Sequence, residues 1–121
     1  MRNDKYILNE QGVPVVEPDL MKWGRWFSDR RDQRIVKQEM VGDLKVSTVF
    51  LGLDHNFSPK GPPVLWETMV FHPNPDPKPC PITGRVFKEI ELDGYTRRCS
   101  GSREQAEAMH ERMVNKVKGM K

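Results

Sequence analysis

Residues 45–53 constrain the fold more than any other part of the chain. Their sequence, Lys-Val-Ser-Thr-Val-Phe-Leu-Gly-Leu, is rich in β-branched residues, which favours a strand. In an extended chain Val46 and Phe50 share one face, whereas Val49 and Leu51 share the other. Because both faces are partly apolar, we predict a central strand of a sheet with a helix covering one side.

Other segments of the chain show strand-like patterns bounded by turn-forming residues. These segments are residues 6–8, 13–16, 35–40, 64–71, 86–92 and 95–99. The first two are separated by a short polar stretch, which predicts an irregular hairpin. Asp93-Gly94 separates the last two, and a DG dipeptide between alternating runs is a strong hairpin signal. We therefore predict that residues 86–92 pair with residues 95–99.

A first amphipathic segment follows Asp19, a residue type that commonly caps helices. Trp23, Trp26 and Phe27 lie within five residues of one another, which predicts a heavily buried helix. Gly24 lies inside this helix at a cost of about 1 kcal/mol relative to alanine. We therefore expect another part of the chain to pack closely against it.

A second helix is predicted near the end of the sequence. Ser102 and Gln105 have the spacing of a capping box, and Gly119 marks the end of the helical pattern. One face of this helix carries a stripe that is mostly apolar, made of Ala106, Met109, His110, Met113, Val117 and Met120. The stripe predicts packing against the sheet.

The whole pattern predicts a single α+β domain over residues 1–121. We expect a mostly antiparallel sheet of four to six strands packed against two helices. Residues 72–84 interrupt the pattern, because proline occupies every second position from 73 to 81. Proline lacks the amide hydrogen that a sheet needs, so we predict a projecting loop of extended polyproline conformation.

Composition excludes some classes of protein. No apolar run approaches the roughly 20 residues of a membrane span, and residues 1–10 lack the apolar core of a secretory signal. The net charge of +3 comes from 20 basic and 17 acidic residues that are mixed along the chain, which only weakly supports nucleic-acid binding. We expect Cys80 and Cys99 to be free thiols in a reducing compartment.

Two groups of side chains could support catalysis or metal binding. Asp54 and His55 follow the central strand and Glu67 lies on the next one, so the three could bind a divalent ion or act as acid and base. The alternative is an Asx-type turn at Asp54 with His55 facing water. The second group has zinc-binding residue types but spacings of 8, 19 and 11 that fit no zinc motif; it comprises His72, Cys80, Cys99 and His110.

The pairing of Cys99 with His110 also lacks the glycine motif of a nucleophilic site. There is no P-loop and no dinucleotide-binding motif. We therefore expect neither a metal nor a cofactor.

Binding surfaces are suggested by aromatic and basic residues. Trp26 lies beside the centre of the helical stripe and could form a surface patch with Arg25, Arg30 and Arg34. A second basic cluster contains Arg97 and Arg98. In an alternative interpretation, a nucleotide-like ligand lies against these two arginines between protomers.

Three strings of sequence resemble a family of small uncharacterised proteins encoded by tailed bacteriophages and prophages. The first is Trp-Gly-Arg-Trp-Phe at residues 23–27, and the second is Val-Ser-Thr-Val-Phe-Leu-Gly-Leu-Asp-His-Asn-Phe at 46–57. The third is Pro-Pro-Val-Leu-Trp-Glu-Thr-Met-Val-Phe at 62–71. The resemblance covers residues 6–71 and the closing helix around His110. It implies a phage protein expressed in bacterial cytoplasm and implies no activity.

These observations favour a small non-enzymatic accessory protein that binds a host or phage macromolecule. A protein partner is expected first, and a homodimer is left open. The enzyme alternative is a metal-dependent hydrolase or nuclease that uses Asp54, His55 and Glu67. The third alternative is a protein that sequesters a small ligand such as a nucleotide.

Overall fold

A computed structural model describes residues 4–120 and contains three helices and seven strands in this range. In chain order the elements are β1 (Tyr6–Leu8), β2 (Pro14–Val16), α1 (Leu20–Asp29), α2 (Arg31–Arg34), β3 (Ile35–Val41), β4 (Leu44–Phe50), β5 (Val64–Pro73), β6 (Glu89–Glu91), β7 (Arg97–Ser100) and α3 (Arg103–Lys118). No helix within residues 4–120 has the length and apolar character that a bilayer crossing requires.

The main sheet has five strands and is antiparallel throughout. β4 lies between β3 and β5, as the two apolar faces of residues 45–53 predicted. β1 and β2 form a separate hairpin, which was also predicted. The chain is therefore an α+β protein with a mostly antiparallel sheet, and this prediction is confirmed.

The hairpin predicted around Asp93-Gly94 is wrong. β6 and β7 both pair with β5: His72 lies opposite Ile90, and Thr68 lies opposite Arg97. The two strands thus lie end to end along one edge of β5. Residues 92–96 loop out between them, because Leu92 and Tyr95 pack into the core on either side of the turn.

Helix α3 covers one face of the sheet. Its Ser102–Gln105 capping box is present as predicted. Two adjoining clusters form the core, and their buried members are Leu8, Val41, Val46, Phe50, Leu65, Trp66, Val70, Ala106, Met109, Met113, Val114 and Val117. Met120 was expected on this stripe, but it is exposed because the helix has already ended.

Helix α1 lies at the margin of this core, and none of its residues is fully buried. Trp26 reaches the first core cluster through an edge-to-face contact with Phe50, at 5.9 Å between ring centroids. Trp23 donates from Nε1 to the carbonyl of Gly52 at 3.0 Å. The prediction of heavy burial is wrong, because α1 packs beside β1 and α2, whereas α3 covers the main sheet. A Cβ at Gly24 would meet nothing within 4 Å, so the expected close packing there is also wrong.

The proline-rich segment pairs with the sheet at its start. β5 continues through Pro73, which lies opposite Glu89, although we expected prolines to stay outside the sheet. Pro73 is tolerated because it lies at the end of the strand, where a missing amide hydrogen breaks few bonds. Beyond Pro73 the chain extends away from the sheet and returns. The backbone amide of Asn74 donates to the carbonyl of Lys88, and the amide of Cys80 donates to the carbonyl of Arg85.

Candidate functional site

A chain of polar side chains crosses the interface between α3 and the sheet. The Thr68 and Thr48 hydroxyl oxygens are 2.6 Å apart, and Thr48 Oγ1 is 2.7 Å from Nδ1 of His110. Nε2 of His110 is 2.8 Å from Oε1 of Glu39. Three members of this hydrogen-bonded network have no exposed surface: Thr48, Thr68 and His110. The network is therefore enclosed by the core on all sides except at Glu39.

The hydrogen bonds of this side-chain network have a defined direction when the imidazole of His110 is neutral. A carboxylate only accepts, so Nε2 of His110 carries the proton and donates to Glu39. Nδ1 then accepts from the Thr48 hydroxyl, and Thr48 accepts from Thr68. Every buried side-chain nitrogen and oxygen of the described residues has a partner, which makes this interior network stable.

Glu39 also faces a lysine. Lys37 Nζ is 3.4 Å from Glu39 and 3.0 Å from Glu111. The hydrogen bond from His110, reinforced by Lys37, lowers the pKa of the Glu39 carboxyl below its usual value. The two carboxylates raise the pKa of Lys37 in turn.

The order hydroxyl, imidazole, carboxylate is that of a nucleophilic triad. Catalysis needs a nucleophile that a substrate can reach, and the Thr48 hydroxyl is buried between helix and sheet. This network therefore holds α3 on the sheet. The sequence placed His110 on the mostly apolar stripe of the closing helix, but it did not connect this residue with Thr48.

The structure does not bring Asp54, His55 and Glu67 together. Asp54 is buried and accepts from the amides of Asn56 and Val64, at 2.8 and 3.0 Å. It thereby forms the Asx-type turn considered above. Nδ1 of His55 bonds to the carbonyl of Leu53, while the Glu67 carboxylate pairs with Arg98 at 2.6 Å.

The described part of the chain contains one group of three side chains spaced as metal ligands: Glu39, His110 and Glu111. Lys37 lies against both carboxylates and already supplies a positive charge there. His72, Cys80 and Cys99 are not in this group, so the zinc combination considered from the sequence is not assembled. Both cysteines are free thiols, as expected.

A groove of about 760 Å³ lies between the β1–β2 hairpin, helix α1 and the start of α3. It unites parts of the chain that are far apart in sequence, and its lining includes Ile7, Glu10, Trp26, Arg30, Gln33 and Arg103. A second depression of about 320 Å³ continues it past Gly12 and Val13. We call these two depressions the Trp26 groove.

The sequence-predicted patch around Trp26 is only partly assembled. Arg30 lines the Trp26 groove, whereas Arg34 lies with its guanidinium 3.6 Å above the ring of Phe27 and donates from Nε to the carbonyl of Phe27. Burial, together with the charge of Arg31, lowers the pKa of Arg34. Arg25 is exposed on α1 and does not line the groove.

The second basic cluster lies at the junction of β7 and α3. Arg97 and Arg98 line a cleft together with Arg112 and Lys116 of the helix. The cleft measures about 260 Å³, and Cys99 forms part of its wall. The sequence indicated the two arginines on β7, but not that α3 would add two more cations beside them.

Comparisons of this chain with protein-family models, with curated proteins and with solved structures give no match.

Proposed function

We propose that this chain is a non-enzymatic binding protein whose Trp26 groove takes a segment of a partner protein. The observation that carries the proposal is the convergence of Trp26, Arg30 and Arg103 on one open groove. Tryptophan and arginine are the residues most enriched at the energetic centres of protein interfaces. Trp26 is also braced from behind by Phe50, so its position is fixed before a partner arrives.

The charges of the groove favour a protein segment over a nucleic-acid strand. Arg30 and Arg103 are basic, but Glu10 lies in the same lining and Glu104 lies in the adjoining depression. A phosphate backbone would be repelled by these carboxylates. A peptide that carries a carboxylate beside an apolar side chain matches the two arginines and the tryptophan.

Exposed apolar residues occur in the lining of the second depression of the groove and in the part of the sequence that follows it. Val13 lines its second depression and is 51% exposed. Further large apolar side chains are exposed within the next eight residues of the chain: Val15, Val16, Leu20 and Met21. Apolar residues concentrated in this way are typical of interaction sites.

The partner is proposed to be a host or phage macromolecule in bacterial cytoplasm. This setting rests on the resemblance of residues 23–27, 46–57 and 62–71 to small phage proteins. The partner is therefore expected in lysate of the bacterium that carries the gene.

A photocrosslinking residue placed at Gln33, which is exposed and lines the groove, tests the proposal. We expect one discrete protein adduct, and we expect Arg30→Glu to remove it. The same crosslinker at Lys60, on the loop between β4 and β5, is the control and is expected to give no such adduct. Absence of an adduct at position 33, or an equal adduct at position 60, would refute the proposal.

A further inference from the structure

The cleft between β7 and α3 carries an uncompensated positive charge. Arg97, Arg98, Arg112 and Lys116 line it, and no carboxylate lies among the described residues of its wall. Four cations in one small space repel one another, and the repulsion is strongest where the surrounding protein lowers the dielectric constant. The cleft is therefore electrostatically suited to an anion.

Three of the four cations have no acidic partner among residues 4–120. Arg97 donates to the carbonyls of Thr96 and Gly94, at 2.8 and 3.3 Å, which are neutral groups. Lys116 lies over the ring of Tyr95 at 4.9 Å. Arg112 has no hydrogen-bond or ion-pair partner within residues 4–120. Arg98 is the one cation of the four that pairs with a carboxylate in the described part of the chain, that of Glu67.

The elements that hold these side chains are firmly packed. β7 is hydrogen-bonded to β5, and Met109 and Met113 of α3 are buried directly beneath the cleft. Arg112 and Lys116 are one helical turn apart, so their side chains share a face. A paired strand and a packed helix thus present guanidinium and ammonium groups to one volume.

We propose that this β7–α3 cleft binds the phosphate group of a small phosphorylated ligand. Guanidinium groups pair with phosphate oxygens in a bidentate manner, and lysine adds a point charge. An adjoining depression of about 500 Å³ shares Arg98, Cys99 and Arg112 with the cleft. It leaves room for the remainder of a molecule of nucleotide size. This site is separate from the Trp26 groove, so the proposal does not depend on the protein partner.

A small ligand fits these observations better than a nucleic-acid strand. The four basic residues line the cleft, and Arg98 and Arg112 also line the adjoining depression, so the positive charge is concentrated around a space of limited size. The ring of Tyr95 lies beneath Lys116 and offers no free face on that side for base stacking.

Calorimetric titration of the full chain with inorganic pyrophosphate and with adenosine monophosphate tests the site. We expect binding of at least one of the two probes, weakened about tenfold by Arg112→Gln, because a charge-assisted hydrogen bond is lost. Arg85→Gln removes the same charge from an exposed position outside the cleft and is expected to leave the affinity unchanged. Equal weakening by both substitutions, or no heat from either probe at millimolar concentration, would overturn the proposal.

Cys99 offers a second measurement, because it lies in the wall of both depressions. In a Cys80→Ser variant, the bound probe is expected to slow alkylation of Cys99. Binding without any protection of Cys99 would place the ligand elsewhere and would contradict the assignment. Binding of a ten-nucleotide single strand far more tightly than either small probe would also contradict it, since it would indicate a surface that follows a phosphate backbone.

Discussion

His110 and Glu39 join the closing helix to the outer strand of the sheet through a hydrogen bond of 2.8 Å from the buried imidazole to a partly exposed carboxylate. They are 71 positions apart in sequence. The bond fixes the ring of His110, and the same ring then fixes Thr48 on the central strand. One side chain of α3 thus contacts both β3 and β4 through polar groups.

Stability should depend on pH through Glu39. Its pKa is below the usual 4.5 in the folded chain, so the carboxylate stabilises the fold fully above that value. The contribution is lost as the pH falls through the lower, folded pKa. We expect Glu39→Gln to unfold at lower urea concentration than the wild type at pH 7, and we expect the difference to shrink below about pH 4.5. Urea titrations at pH 7, 5 and 3.5 measure this.

Glu111→Gln is the matched control for this substitution. It removes an exposed carboxylate from the same lysine, Lys37, but leaves His110 untouched. We expect it to cost less than about 1 kcal/mol at pH 7. Equal effects of the two substitutions would show that Lys37, rather than His110, accounts for the role of Glu39.

Thr48→Val tests the inner half of the network. Valine keeps the shape of threonine but leaves Nδ1 of His110 and the Thr68 hydroxyl without their partner. We expect a loss of about 1–3 kcal/mol in the free energy of unfolding, because both polar groups stay buried. Thr68→Val removes only the hydroxyl at the inner end of the network and is expected to cost less. A neutral Thr48→Val substitution would show that the network does not stabilise the fold.

Some of this fold was evident in the sequence because the decisive information was local. The β-branched run at residues 45–53 identified the central strand, and the Ser102–Gln105 spacing identified the start of α3. The prediction of a hairpin at Asp93-Gly94 was wrong because a local turn signal does not reveal which other strands compete for pairing. β5 is ten residues long, and its edge takes both β6 and β7.

The candidate sites depended more strongly on tertiary structure. The helical stripe placed His110 towards the sheet, but its partner Thr48 lies 62 positions away. The Trp26 groove likewise needs Arg103 from α3, which no local pattern connects to Trp26. Periodicity predicts which face of an element is covered, whereas the identity of the contact across it depends on how the elements pack.

Two glycines should respond to alanine in opposite directions. Gly24 lies in the interior of α1 with open space around its Cβ position, so Gly24→Ala is expected to stabilise the chain by about 1 kcal/mol. Gly52 has a φ of +76°, and a Cβ there would lie 2.9 Å from the ring of Phe27. We expect Gly52→Ala to destabilise the chain by about 1–3 kcal/mol. Thermal melts of the two variants beside the wild type compare them directly.

Substitutions of Asp54 and of His55 should differ in their effect on the free energy of unfolding. Asp54 is buried and holds the amides of Asn56 and Val64, so Asp54→Ala is expected to cost about 1–3 kcal/mol of stability. Among the described residues the His55 side chain has one hydrogen-bond partner, the Leu53 carbonyl, and His55→Ala is expected to cost less than about 1 kcal/mol. Stabilisation of the wild type by Mn²⁺ that disappears in His55→Ala would instead favour the hydrolase alternative.

The two cysteines should differ in reactivity towards alkylating agents. Hydrogen bonds from Thr83 and the backbone lower the pKa of the Cys80 thiol, whereas burial raises that of Cys99. The thiolate is the reactive form, so at pH 7 Cys80 carries more of it and should react with iodoacetamide faster than Cys99. Peptide mass mapping over a time course gives both rates. Thr83→Val is expected to slow Cys80 alone, and faster labelling of Cys99 than of Cys80 in the folded chain would contradict the assignment.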